Sequence, residues 1–126
     1  MKAMLFAAGL GTRLRPYTND RPKALVEVGG KTLLEINLRH LRAQGVSEVV
    51  VNVHHFADQV IDFLQSKHDW DLTLHISDER ARLLDTGGGL RHARHWLNDE
   101  PFLVHNVDIL SDLDLRRLFT THQQQG

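Results

Sequence analysis

The chain has 126 residues, 41% of them hydrophobic and 25% charged, with a formal net charge of −1. That length suits one domain with an ordinary core, and a charge near zero gives no global field for nucleic acid, so any anion site must be local. With no cysteine, disulfides, thiolate zinc sites, iron–sulfur clusters and cysteine nucleophiles are excluded, and a cytoplasmic location is expected.

The opening "MKAMLFAAGL" carries one lysine and a short apolar run that leads into a loop of cations, not into a small-residue cleavage site. It reads as a first strand, Lys2 to Ala8, apolar enough to be covered on both faces as in a parallel sheet, and not as a signal peptide. No apolar run approaches the ~18 residues of a membrane span, so no membrane partner is expected. Leu25 to Val28 alternates like a short strand. "KTLLEINLRHLRAQG" then reads as a helix, with Thr32 and Glu35 as a capping box, Leu34, Leu38 and Leu41 at helical spacing, and Gly45 as the C-terminal cap.

Glu48 to Val53 is a β-branched strand, and Ala57 to Ser66 a helix whose apolar face is Val60, Ile61 and Leu64. Asp71 to Ile76 alternates as a strand. "SDERARLLDTGGG" reads as a polar loop, and a helix follows from about Leu90 to Leu97. Pro101 precedes the strand "FLVHNV", a last helix covers Leu113 to Thr121, and the polar "THQQQG" reads as a frayed or cut end. Strands alternating with helices predict an α/β, Rossmann-like, doubly wound and mostly parallel sheet. In the order 3-2-1-4 the first strand and "FLVHNV" are neighbours where the winding reverses, which sets Gly9 to Lys23 beside Asp108 at the ligand edge.

The stretch "FAAGLGTRLRPYTNDRPKAL", Phe6 to Leu25, holds two glycines, four cations and two prolines. A dinucleotide fingerprint needs a third glycine where Leu14 stands and a helix starting at once, whereas the next helix begins only near Thr32. An ATP-type loop ending in "GGKT" needs glycine at position 25, where Leu25 stands. A solvated surface loop remains possible, but Arg13, Arg15, Arg21 and Lys23 gather in one loop of a nearly neutral chain. Glycines that admit close approach, beside backbone amides and cations, suit a polyphosphate.

"AAGLGTRLRPYTNDRPKAL" resembles the signature of the sugar nucleotidyltransferases, AAG-x-G-T-R-L-x-P-x-T followed by P-K-x-L, and each fixed position is matched. The likeness runs from Lys2 to about Leu115 and takes in "TGGG" and the aspartate after the fourth strand. It implies the nucleotide-diphospho-sugar transferase type of three-layer α/β/α sandwich. The activity implied is joining an NTP, UTP or GTP, to a sugar 1-phosphate with release of pyrophosphate, as in NDP-sugar and cell-envelope biosynthesis. "LDTGGG" is closest to the types acting on N-acetylmuramate 1-phosphate and mannose 1-phosphate.

By that resemblance the backbone at Ala8, Gly9, Gly11 and Thr12 wraps the nucleotide phosphates, Arg13 holds the β and γ phosphates, and Lys23 stabilises charge near the α-phosphorus. Gly87 and Gly88 let the nucleobase approach the backbone, and Asp108 holds Mg²⁺. Val107 stands where the family usually has glycine. His105, three residues from Asp108, has the wrong parity to share its face and is read as supporting the site from behind. A histidine metal site is not expected, since no carboxylate with convincing spacing joins His92 and His95. Family members are considerably longer, so residues 1–126 are read as the nucleotide-binding N-terminal part of the domain, cut at its C-terminal side. The other reading is a nucleotide-binding or regulatory module without catalysis, or a fragment that self-associates through an unfinished sheet edge.

Overall fold

The computed structural model describes residues 1–126. Its centre is a four-stranded sheet of β1 (Lys2–Phe6), β4 (Glu48–Val53), β5 (Thr73–Asp78) and β6 (Phe102–Asn106), in the order β5-β4-β1-β6 with every pairing parallel. This is the expected 3-2-1-4 order. A small antiparallel hairpin, β2 (Glu27–Val28) with β3 (Lys31–Thr32), stands apart from the sheet.

Successive residues of β1 face opposite sides, which divides the core in two. Ala3 and Leu5 pack with Val49, Val51 and Val53 against Leu34, Leu38 and Leu41 of α1 (Leu33–Ala43) and Val60 and Leu64 of α2 (Ala57–Ser66). Met4, Phe6 and Val50 pack against Ala93 and Leu97, the first following α3 (Asp85–His92) and the second ending α4 (Arg94–Leu97). Helices on both faces complete the three layers. The last helix, α5 (Leu115–Gln125), rests Leu115 and Phe119 on the first cluster.

Both ends of α1 follow from its sequence. The Thr32 hydroxyl accepts from the Glu35 N–H at 3.0 Å, so the cap forms, but the Glu35 carboxylate turns to Arg39 and Lys67 instead of closing the box. At the other end Gly45 takes φ +94, its N–H reaches the Arg42 carbonyl, and the Val46 N–H reaches the Leu41 carbonyl. These are the two bonds of a Schellman motif, and the left-handed position suits glycine.

Three expectations are corrected. The last helix runs from Leu115 to Gln125, not Leu113 to Thr121, so the polar tail continues it instead of fraying. The third strand of the order lies at Thr73–Asp78, two residues later than Asp71–Ile76, because its ladder continues to Asp78 opposite Val53. The glycine triplet is not a loop: α3 begins at Asp85 and takes Gly87, Gly88 and Gly89 into its first turns. Glycine is disfavoured in a helix by about 1 kcal/mol, yet a Cβ on Gly89 would lie 3.1 Å from the Phe6 ring and 3.2 Å from Glu79 Oε2. Close packing of helix on sheet outweighs propensity there.

Candidate functional site

The loop after β1 does not start a helix. Gly11 adopts φ +70, a single 3-10 turn covers Thr12–Leu14, and a second covers Lys23–Leu25. A Cβ on Gly11 would also press within 2.9 Å of the Thr18 side chain, whose hydroxyl is bonded to the Gly11 carbonyl. The loop is therefore folded back on itself, with Gly9, Leu10, Gly11, Thr12, Arg13, Leu14, Lys23 and Asp108 around a hollow of about 150 Å³. The N–H groups of Gly9, Leu10 and Gly11 donate to no protein oxygen. Three consecutive free amides at the carboxyl end of a central strand are the kind of donors from which anion-binding concavities are built.

A second hollow of about 170 Å³ adjoins the first, lined among others by Ala8, Gly9, Lys23, Asn52, Glu79, Asp85, Thr86 and Asn106. Gly9 and Lys23 belong to both. Lys23 reaches across Gly9 so closely that a Cβ there would stand 2.8 Å from its Nζ. Lys23 and Arg13 form no ion pair, and neither does Asp108. Elsewhere Arg39, Arg42 and Arg80 are each matched to carboxylates. Arg15 also lacks a partner but lines neither hollow, and Arg21 sits 3.5 Å from Asp20.

The expected site residues are thus gathered around one edge, with two exceptions. Gly87 and Gly88 line neither hollow; Asp85 and Thr86, at the start of α3, do. Gly88 instead lines a broad surface depression of about 740 Å³ with Arg82, Arg91 and Arg94, which meets the second hollow at Leu83 and Asp85 but is not lined by Arg13, Lys23 or Asp108. Ala8 lines the second hollow, but its N–H is bonded to Asn52 at 3.1 Å, so that amide is not a free donor for phosphate.

Sequence reasoning missed Asn52 and gave Glu79, ahead of the glycine triplet, no role. Asn52, 2% exposed in the middle of the sheet, accepts from the N–H groups of Ala7 and Ala8 and donates to Glu79 Oε2 at 3.0 Å. Glu79 is 3% exposed, and its Oε1 is buried without a partner. A buried unpaired carboxylate oxygen is costly, which singles it out beside an open cavity. One signal was legible: an asparagine interrupting "VVVNV" is a polar group in a strand buried on both faces.

Behind Asp108, Asn37 of α1 donates to the Val107 carbonyl at 2.7 Å, and His105 Nε2 lies 2.6 Å from Asn37 Oδ1. Burial, and then the nearby His40, hold the His105 imidazole below its ordinary pKa. No group of three or more His, Cys, Asp or Glu side chains is arranged to hold a metal. Magnesium bound with phosphates needs only one or two protein carboxylates, so the unpaired Asp108, lining the same hollow as the free amides, fits such an ion.

The family model for nucleotidyl transferases matches residues 2–126. The N-acetylmuramate alpha-1-phosphate uridylyltransferase of Caulobacter vibrioides is 53% identical over 108 residues, 84% of this chain and 45% of that protein. Mannose-1-phosphate guanylyltransferase 1 of Arabidopsis thaliana is 35% identical over 132 residues, covering 100% of this chain and 36% of its own length. HddC from Yersinia pseudotuberculosis, in a crystal structure complexed with GMP-PN, superposes with a TM-score of 0.85 at 28% identity, over 95% of this chain and 53% of that one. The chain therefore spans about half the length, or less, of the relatives it matches. No helix is long and apolar enough to cross a membrane.

Proposed function

The chain belongs to the nucleotidyl transferase family, and from that membership we propose that residues 1–126 form the nucleotide-binding N-terminal part of a domain that joins UTP or GTP to a sugar 1-phosphate. The observation that carries this reading is the joint hollow: three free amides at Gly9 to Gly11, an unpaired Arg13 and Lys23, and Asp108 in the same lining. The 53% identity to a uridylyltransferase supports UTP and N-acetylmuramate 1-phosphate as the first pair to test.

In such a transfer a sugar-phosphate oxygen attacks the α-phosphorus and pyrophosphate leaves. Two polyanions must meet, so the protein's task is charge neutralisation and in-line positioning, with no protein nucleophile required. The amides of Gly9, Gly11 and Thr12 hold the phosphate chain, and Arg13 grips its β and γ groups through its planar fork. Lys23, at the junction of the two hollows, follows the charge that builds on the α-phosphoryl group. The base enters the second hollow, where Asp85 and Thr86 begin α3 and the free oxygen of Glu79 offers an acceptor to a ring N–H. Asp108 would hold Mg²⁺, which when bound supplies neutralising charge to the phosphate oxygens.

The test is calorimetric titration with UTP and GTP in Mg²⁺, followed by pyrophosphate release with a panel of sugar 1-phosphates. UTP binding that is lost in Arg13→Ala and Lys23→Ala is expected, and absence of NTP binding overturns the reading. Binding without release for every pair favours the second reading, a nucleotide-binding module without catalysis. That reading draws on the free edge of β6, where Val104, Ile109, Leu110 and Leu113 are exposed and a second copy could pair. Sedimentation equilibrium checks it, since a purely monomeric chain removes self-association.

A further inference from the structure

Asn37 is 2% exposed and sits one turn into α1, yet it does not serve the helix alone. Its side-chain NH₂ donates to the Leu33 carbonyl at 2.9 Å and to the Val107 carbonyl at 2.7 Å. Two carbonyls can only accept, so the orientation of the amide is fixed and Oδ1 must face His105, whose Nε2 is 2.6 Å away. Both amide protons are used and the oxygen is occupied. A buried polar group satisfied on every side is rigid, and whatever it holds is rigid with it.

What it holds is the turn that carries Asp108. The Val107 N–H donates to the Phe6 carbonyl at 3.0 Å, extending the β1–β6 ladder by one residue, and the Ile109 N–H closes on the Asn106 carbonyl at 3.2 Å. The Val107 side chain is fully buried. The peptide joining Val107 to Asp108 is thereby fixed through its carbonyl by Asn37, while the Asp108 carboxylate has no partner of its own. From this arrangement we infer that Asn37 is a positioning residue for Asp108, aiming its carboxylate into the phosphate hollow through the Val107 carbonyl. The inference rests on the reading of Asp108 as a metal ligand given above.

Partners that orient a metal ligand change metal affinity by about 10- to 100-fold when removed. Mn²⁺ binding to the full chain with UTP, followed by electron paramagnetic resonance, is the readout, with UTP affinity in EDTA and the melting temperature measured alongside. Asn37→Asp keeps the shape but removes both donors, and Asn37→Leu removes donor and acceptor together. Each should weaken Mn²⁺ by about tenfold while metal-free UTP affinity stays within about twofold. A fall in both affinities that tracks the melting temperature, or no change in Mn²⁺ affinity, overturns the inference. Should the variants not fold, the wild-type chain decides: slow solvent exchange of the Asn37 side-chain amide protons is expected, and rapid exchange overturns it. Asp108→Asn separates the two readings, because Mn²⁺ affinity unchanged in that variant removes the metal role itself, whereas loss there with no effect at Asn37 removes only the positioning role.

Discussion

Replacing Gly89 and Gly87 by alanine, one at a time, tests whether α3 is pressed onto the sheet at the second hollow. Alanine is better than glycine in a helix by about 0.5–1 kcal/mol, so propensity alone predicts that both variants gain stability. A Cβ at Gly87 meets nothing within 4 Å, and that variant should keep the gain. At Gly89 the new carbon lies 3.1 Å from Phe6 Cε1, 3.2 Å from Glu79 Oε2 and 3.4 Å from Asn52 Nδ2. None of the three can yield cheaply: Phe6 is buried in β1, and Asn52 is fixed by bonds to Ala7, Ala8 and Glu79. Forcing an extra carbon into such a place costs about 1–3 kcal/mol, which leaves Gly89→Ala neutral to about 2.5 kcal/mol destabilised.

The two variants should therefore differ by about 1–3 kcal/mol, or several degrees in melting temperature, at about 2–8 °C per kcal/mol. Differential scanning calorimetry of the pair against wild type measures this. UTP affinity adds a second axis, since displacing Glu79 and Asn52 disturbs the second hollow while a methyl on Gly87 does not. Gly89→Ala melting as high as Gly87→Ala would refute the close-packing explanation for the glycine triplet.

Gly9→Ala places a carbon 2.8 Å from Lys23 Nζ, the free end of a flexible side chain. The melting temperature should hold, and UTP should bind about tenfold more weakly by calorimetry, a loss of about 1.4 kcal/mol. Asn52→Ala leaves the Ala7 and Ala8 N–H groups and Glu79 without their partner, and urea unfolding should show a loss of about 2–4 kcal/mol. His105 has a folded pKa below its ordinary 6.5, so the unfolded chain takes up the proton first as the pH drops. Its contribution is therefore complete above about pH 6.5 and is lost as the pH falls towards the folded pKa; His105→Gln should flatten that limb of a stability–pH curve, and an unaltered limb would contradict the assignment.

The strand order was legible because each strand is a short apolar run set between helices, and right-handed crossovers leave few arrangements. Asp108 was legible by position alone: it follows the strand that pairs with β1, so the topology brings it to the loop. The glycine triplet misled because a run of glycines reads as a turn, and the counterweight, the Phe6 ring and the Asn52–Glu79 pair, comes from distant parts of the chain. Asn37 and Asn52 were missed for the same reason. Their partners are backbone groups 70 and 45 residues away, which no local pattern encodes.

The two buried asparagines also explain how a loop without a helix can be organised for an anion. Asn52 ties down Ala7 and Ala8, and the next three amides, Gly9 to Gly11, are left free. Asn37 ties down Val107, and the next side chain, Asp108, is left unpaired. In each case a fixed backbone ends immediately before a group with no protein partner, which is the preorganisation that electrostatic stabilisation requires. Had Asp108 closed onto Arg13 or Lys23 the hollow would have neutralised itself, and a ligand would first have to break the pair. With the cations and the carboxylate around one hollow yet unpaired, the charge they carry is available to the polyphosphate and metal proposed for it.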